Sequence, residues 1–421
     1  MKRKKRSHVL ILIGAILVLL TIVAAELVFL FFLSGQPFKN KLSFAQYADR
    51  IIAKCASDSY HPACYDREIP KLMDSISMED AFSVTRLIQE KDKSYFYCHV
   101  LGHGLAAREV AKDPSKWKEV IVRAPTGMCS NGAIHGAFQE RFRSESFSDD
   151  QIQKLKGDLV DICEAKPNWN PTGMVQASCY HALGHLMMYI TRGDVNKSIN
   201  LCGQTIRKDL IATYSQLCFD GTFMQIFQPL EPEDFAIVAG KAPTIENLTA
   251  YCGQFAPIQK DSCWTEAWPL SRDQIKNPAW LETYCAHAVD SVQRDRCFSA
   301  MFYVLTPMMD YNPDQVKNFC GSLSGLRQPQ CFADAASRTI ETDSSLIAKA
   351  VSICSAAKVL AMDERCWQEL VKFSTFNFHA GSQEFYNLCN SLPDKWRVSC
   401  LRASGPQPAP AQNTADEVFA R

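Results

Sequence analysis

At 421 residues the chain has room for two or three domains or one long array, and its 45 Lys plus Arg balance 45 Asp plus Glu. With zero net charge and no basic stripe beyond the first six residues, nothing gathers a polyanion, so nucleic-acid binding is not expected. The 18 cysteines are an even count far above cytosolic usage, which implies disulfides in an oxidising compartment, and the CxxC spacings of a structural zinc site are absent.

The N-terminus points to the same compartment. Residues 1–8 form a basic tail containing Lys2, Arg3, Lys4, Lys5 and Arg6, expected on the cytoplasmic side. Residues 9–33 are an apolar run broken by only two polar side chains, Thr21 and Glu26, and long enough for one transmembrane helix. Val23-Ala24-Ala25 offers a small-residue cleavage site, but Leu27 to Leu33 extends the apolar run past it, which favours an uncleaved anchor. The expectation is a single-pass membrane protein with most of the chain extracytoplasmic. Residues 34–41, with Gly35 and Pro37, are a linker.

Residues 42–235 read as irregular helical repeats. Leu42 to Cys55 predicts a helix with Phe44, Tyr47, Ile51 and Ile52 on one face, and Met78 to Lys91 predicts another. Cys55 and Cys64 form a short first pair. Cys163 with Cys179, and Cys202 with Cys218, form wider ones. Cys98 and Cys129 then remain for each other.

Residues 236–401 are regular. Cys252 pairs with Cys263, Cys285 with Cys297, Cys320 with Cys331, Cys354 with Cys366, and Cys389 with Cys400, at a period near 34 residues. That period signals stacked helical hairpins, each too small to bury its apolar face alone. In one such module Asn312 caps, Pro313 suits the first turn, Ser324 to Gln330 turns the chain, and Phe332, Ala335, Ala336 and Ile340 face one way on the second helix. Each disulfide ties the end of one helix to the start of the next, and the aromatic residues after the second cysteines (Trp264, Phe298, Phe332, Trp367) serve inter-helix packing. Residues 402–421, rich in Pro, Ala and Gln, read as a disordered tail.

The expected fold class is therefore all-α: a right-handed solenoid of two-helix repeats with intra-repeat disulfides, preceded by one transmembrane helix. On its period and cysteine placement the chain resembles the secreted, cysteine-rich Sel1-like and tetratricopeptide proteins. That resemblance implies architecture only and carries no functional residue.

Chemistry concentrates in the histidines. Two near-copies of one phrase, Cys98-His99-Val100-Leu101-Gly102-His103-Gly104 and Tyr180-His181-Ala182-Leu183-Gly184-His185-Leu186, each put two imidazoles at i and i+4 on one helical face. His135 stands six residues after Cys129, as His185 does after Cys179, and Met224 takes the same offset after Cys218. Asn131, His181 and Asp220 recur at the second offset, so polar groups line one surface of the stack. Gly102, Gly104, Gly136 and Gly184 beside them suggest close approach of a neighbouring helix or a ligand. His99, His103, His135, His181 and His185 are the candidate ligands of a transition metal, zinc, copper or iron. Structural histidines bonded between helices would give the same pattern. His287 and His379 lack a partner at helical spacing and read as ordinary surface or helix-end residues.

There is no HExxH, CxxCH, GxSxG or phosphate-binding Gly-rich loop, and fully paired cysteines leave no nucleophile. Two functions remain. One is a membrane-anchored scaffold that binds a protein, peptide or envelope ligand. The other is a metal-dependent enzyme or metal carrier built on the paired HxxGH phrases.

Overall fold

The computed structural model describes residues 42–95, 97–142, 147–230 and 232–403. The expected basic tail, membrane anchor and linker, and the tail from residue 404, lie outside them. Arg402, placed in the tail by composition, instead closes the last helix. Among the described residues no helix is long and apolar enough to cross a membrane.

The described chain is all-α, with one isolated β-bridge between Lys166 and Trp169. It opens with α1 (Phe44–Cys55), α2 (His61–Glu68) and α3 (Met78–Lys91). The irregular part continues through α4 (His99–Lys112), α5 (Trp117–Arg123), α6 (Gly132–Phe142), α7 (Asp149–Leu159), α8 (Gly173–Ile190), α9 (Val195–Thr205), α10 (Ile211–Phe227) and α11 (Pro232–Val238). Five helix pairs follow: α12 (Leu248–Gly253) with α13 (Pro257–Glu266), α14 (Pro278–Cys285) with α15 (Ser291–Met308), α16 (Pro313–Gly321) with α17 (Arg327–Thr342), α18 (Ile347–Ala357) with α19 (Asp363–Asn377), and α20 (Gln383–Ser391) with α21 (Asp394–Arg402).

The pair α16/α17 shows how sequence sets the module. The Asn312 side chain accepts from the backbone N–H groups of Asp314 and Gln315, and Pro313 occupies the first helical position, where no N–H is needed. Gly325, at φ +58°, makes the turn in a backbone region that costs other residues most. The second helix starts at Arg327, inside the segment expected to be turn. Pro329 tolerates this because the first helical turn has no intrahelical N–H bond to lose. Phe332, Ala335, Ala336 and Ile340 are all buried, as are Trp264, Phe298 and Trp367.

All nine disulfides join the expected partners. In the irregular part Cys55 bonds to Cys64, Cys98 to Cys129, Cys163 to Cys179, and Cys202 to Cys218. In the regular part Cys252 bonds to Cys263, Cys285 to Cys297, Cys320 to Cys331, Cys354 to Cys366, and Cys389 to Cys400. Cys263, Cys297, Cys331, Cys366 and Cys400 each lie inside the second helix of their pair and are buried, so each of these five staples is sealed from solvent by the packing it reinforces. No cysteine is free. The first helices of the regular modules run from 6 to 11 residues, lengths at which an isolated helix is unstable in water. A covalent tie to the following helix, together with the buried face, holds them.

The array does not stay open. It curls until late modules pack on early ones. The Phe376 ring of α19 lies where a side chain on Gly173, the first residue of α8, would sit. Ser130 Oγ donates to the Thr342 carbonyl at 2.8 Å across a sequence separation of 212 residues. The polar line down the second helices also runs further than the histidines. Arg296 pairs with buried Asp220, Ser299 donates to Asp334 at 2.9 Å, and Arg338 pairs with Glu341.

Candidate metal centre

Helices α4, α6 and α8 lie side by side, and glycine sets how close they come. Gly132 and Gly136 of α6 rest on the backbone of His99 and His103 in α4, and a Cβ on either would run into a carbonyl oxygen. Gly221 of α10 meets the His181 carbonyl in the same way, and Gly184 of α8 meets that of Cys218. The glycines thus serve close approach of helices, as expected for Gly102, Gly136 and Gly184. Gly104 does not share this role; it makes only an ordinary contact with Pro70.

Such close packing brings all five histidines into one cluster. His99 and His103 share a face of α4, with their Nε2 atoms 3.0 Å apart. His135 of α6 sits beside both, its ring 5.0 Å from that of His99 and 5.2 Å from that of His103. One ligand nitrogen from each of these three lies within 4.8 Å of the others. On the far side, the His135 ring is 5.8 Å from His181 and 5.0 Å from His185 of α8. His181 and His185 repeat the α4 arrangement, with Nε2 atoms 3.3 Å apart. His99, His103, His135 and His185 are buried, with 3–7 % of their surface exposed, while His181 keeps somewhat more. His379 is exposed; His287 is exposed too and stacks on Trp264 at 3.9 Å.

Hydrogen bonds on the outer nitrogens decide which way the inner ones face. His99 Nδ1 lies 3.3 Å from the Cys129 carbonyl oxygen, which only accepts, so Nδ1 carries the proton. His103 Nδ1 lies 3.1 Å from Gln139 Oε1. The orientation of that amide is itself fixed. Tyr189 donates its hydroxyl to Asp234, so its oxygen is left to accept from Gln139 Nε2 at 3.1 Å. Gln139 therefore presents Oε1 to His103, and His103 also carries its proton on Nδ1. The two Nε2 lone pairs then point at each other across 3.0 Å. Two neutral imidazoles repel in that arrangement; a shared cation relieves it. Two nitrogens bound to one tetrahedral zinc at about 2.0–2.1 Å lie about 3.3 Å apart, close to the separation found. His135 brings a third ring nitrogen within 4.8 Å of these two, so the three residues could hold an ion.

Strain marks the same place. Cys129, Ser130 and Asn131 have φ values of 52°, 49° and 55°, three consecutive non-glycine residues in the left-handed region. The Cys98–Cys129 disulfide, the Ser130 bond to Thr342, and the Asn131 amide bond to Ser178 Oγ at 3.1 Å hold this turn. Its product is the placement of the Cys129 carbonyl on His99.

Burial sets the proton affinities. Desolvation, with His103 next, pulls the His99 pKa down to about 3. His185 falls to about 4, again mainly by desolvation, against the opposing pull of Gln225 and Asp234. His135 and His181 are held well below the ordinary range by desolvation and then by neighbouring histidines. Neutral imidazole is the form that binds a metal ion.

Gln139, Tyr189, Asp234, Gln225 and the Cys129 turn were not among the sequence-derived candidates. Gln139 stands four residues after His135, which is a usable signal. Asp234 reaches the centre from α11 with no local pattern to announce it. Replacing Gln139 by Leu is expected to lower metal affinity about 10- to 100-fold while helicity is unchanged, because partners that orient a ligating histidine carry effects of that size. Competition with a chromogenic chelator measures it.

No protein-family model, curated protein or solved structure matches this chain.

Proposed function

We propose that this protein binds a transition-metal ion at His99, His103 and His135, on a disulfide-stapled helical array held outside the cytoplasm by residues 9–33. One observation carries the reading. The outer nitrogens of His99 and His103 are committed to oxygen acceptors, so their inner lone pairs face each other 3.0 Å apart beside His135. A purely structural histidine pair would donate a proton from one ring to the other, and the acceptors around it oppose that tautomer. Zinc suits a neutral three-imidazole set with an open fourth position, and copper or iron also accept it. The two-helix period keeps its likeness to the Sel1-like and tetratricopeptide arrays, and the disulfide count favours an oxidising compartment.

The scaffold reading retains one observation of its own. A cleft of ≈ 540 Å³ lies where the first and last modules meet, walled by Phe44, Phe82, Leu87 and Phe378 with Arg86 and Glu90 among them. Apolar walls with a few charges suit a peptide segment.

Metal analysis of the purified full-length protein separates the two. The expected result is a stoichiometric transition metal in the wild type and its loss in the double variant His103→Ala, His185→Ala. A metal-free wild type that cannot be loaded with zinc, copper or iron would sink the metal reading.

A further inference from the structure

We propose that His181, His185 and Met224 form a second metal site, selective for Cu(I), next to the three-histidine centre. The site uses none of the same ligands and does not depend on the first being occupied. His181 and His185 stand one turn apart on α8 with Nε2 atoms 3.3 Å apart. Met224 comes across from α10 and places its thioether sulfur 3.2 Å from His181 Nε2. His181 Nε2 thus stands within 3.3 Å of both the other imidazole nitrogen and the sulfur. Gln225, the residue after Met224, orients His185: its Oε1 accepts from His185 Nδ1 at 2.6 Å, which turns the Nε2 lone pair toward His181.

The donor set decides the ion. A thioether is neutral and polarisable, so it adds little to the hold on a hard divalent cation and much to the hold on Cu(I). Two nitrogens and a sulfur suit the low coordination numbers of that ion. Module register agrees, since His135, His185 and Met224 stand at the same offset after their module's second cysteine. The third of these modules replaces an imidazole with sulfur. Met224 is only half-buried, so an ion can reach the site from the surface. His135 lies between the two sites, its ring 5.0 Å from both His99 and His185.

The test is an anaerobic Cu(I) titration of the full-length protein against a chromogenic Cu(I) chelator, with ascorbate as reductant in place of any thiol or phosphine so that the disulfides survive. Copper X-ray absorption and zinc content are read on the same samples. The wild type should bind Cu(I) with a sulfur scatterer in its coordination shell. Met224→Leu, a volume-conserving change, should remove that scatterer and weaken Cu(I) binding about 10-fold or more, with zinc content unchanged. His103→Ala should lose zinc yet keep the copper–sulfur signal. Copper bound without sulfur, equal affinity in Met224→Leu, or no Cu(I) uptake would each overturn the proposal, whatever the zinc content shows.

Discussion

Full reduction of the disulfides in denaturant, followed by its removal, is expected to leave the array unfolded. A closed loop of roughly a dozen residues removes about 3 kcal/mol of unfolded-state entropy in the chain-entropy model. Nine such closures exceed the ~5–15 kcal/mol net stability typical of a folded protein. The first helices of the modules are too short to persist alone, and each module's second helix buries its face only against neighbours. Far-ultraviolet circular dichroism after reduction by a phosphine in denaturant and removal of the denaturant measures the effect, and most helical signal should fail to return at neutral pH and room temperature. Removing one staple, as in Cys320→Ser with Cys331→Ser, should cost about 2–4 kcal/mol and lower the urea midpoint without abolishing folding. A fully reduced chain that kept its helicity and its melting temperature would show that packing alone holds the array.

The second large effect is on acid stability. His99, His135, His181 and His185 have folded-state pKa values below the unfolded value of about 6.5. The unfolded chain therefore takes up protons that the folded chain refuses. Stability from these groups is complete above about pH 6.5 and is lost as pH falls toward the folded values, about 3 for His99 and about 4 for His185. Buried carboxylates act the other way, since burial lifts Asp66 and Asp261 to about 6 and Asp334 to about 7. They favour the fold as pH falls through the same window, so the total profile mixes both groups. A difference isolates the histidine term. Metal-free His135→Gln should gain on the metal-free wild type as pH falls below about 6.5, by at most about 1.4 kcal/mol per pH unit for the one proton involved. Urea midpoints at about pH 7.5 and about pH 5 measure it, and a gap that does not change with pH would contradict the assignment.

What could be read before the structure divides along physical lines. Disulfides between neighbours in sequence are local, so eight pairs followed from order and spacing and Cys98–Cys129 from being the two cysteines left over. Helix faces followed from periodicity, and the gathering of five histidines followed from two copied phrases and one shared offset. Three things were hidden because they depend on distant parts of the chain. One is the curl that seats Phe376 on Gly173 and Thr342 on Ser130. Another is the Tyr189–Asp234 contact that fixes the Gln139 amide. The last is the left-handed turn at Cys129–Asn131, three residue types of which two rarely adopt that backbone. The histidines were visible in the sequence; the groups that orient them were not.

Cobalt(II) substitution tests the central claim most directly. Titrated into the metal-free full-length protein, Co(II) should bind in a 1:1 ratio at the three-histidine centre and give the intense visible bands of a tetrahedral nitrogen site. Those bands should be lost in His99→Ala and in His135→Ala but kept in Met224→Leu. A wild type that shows no such bands, or bands unchanged in His99→Ala, would contradict the assignment of His99, His103 and His135 as a metal centre.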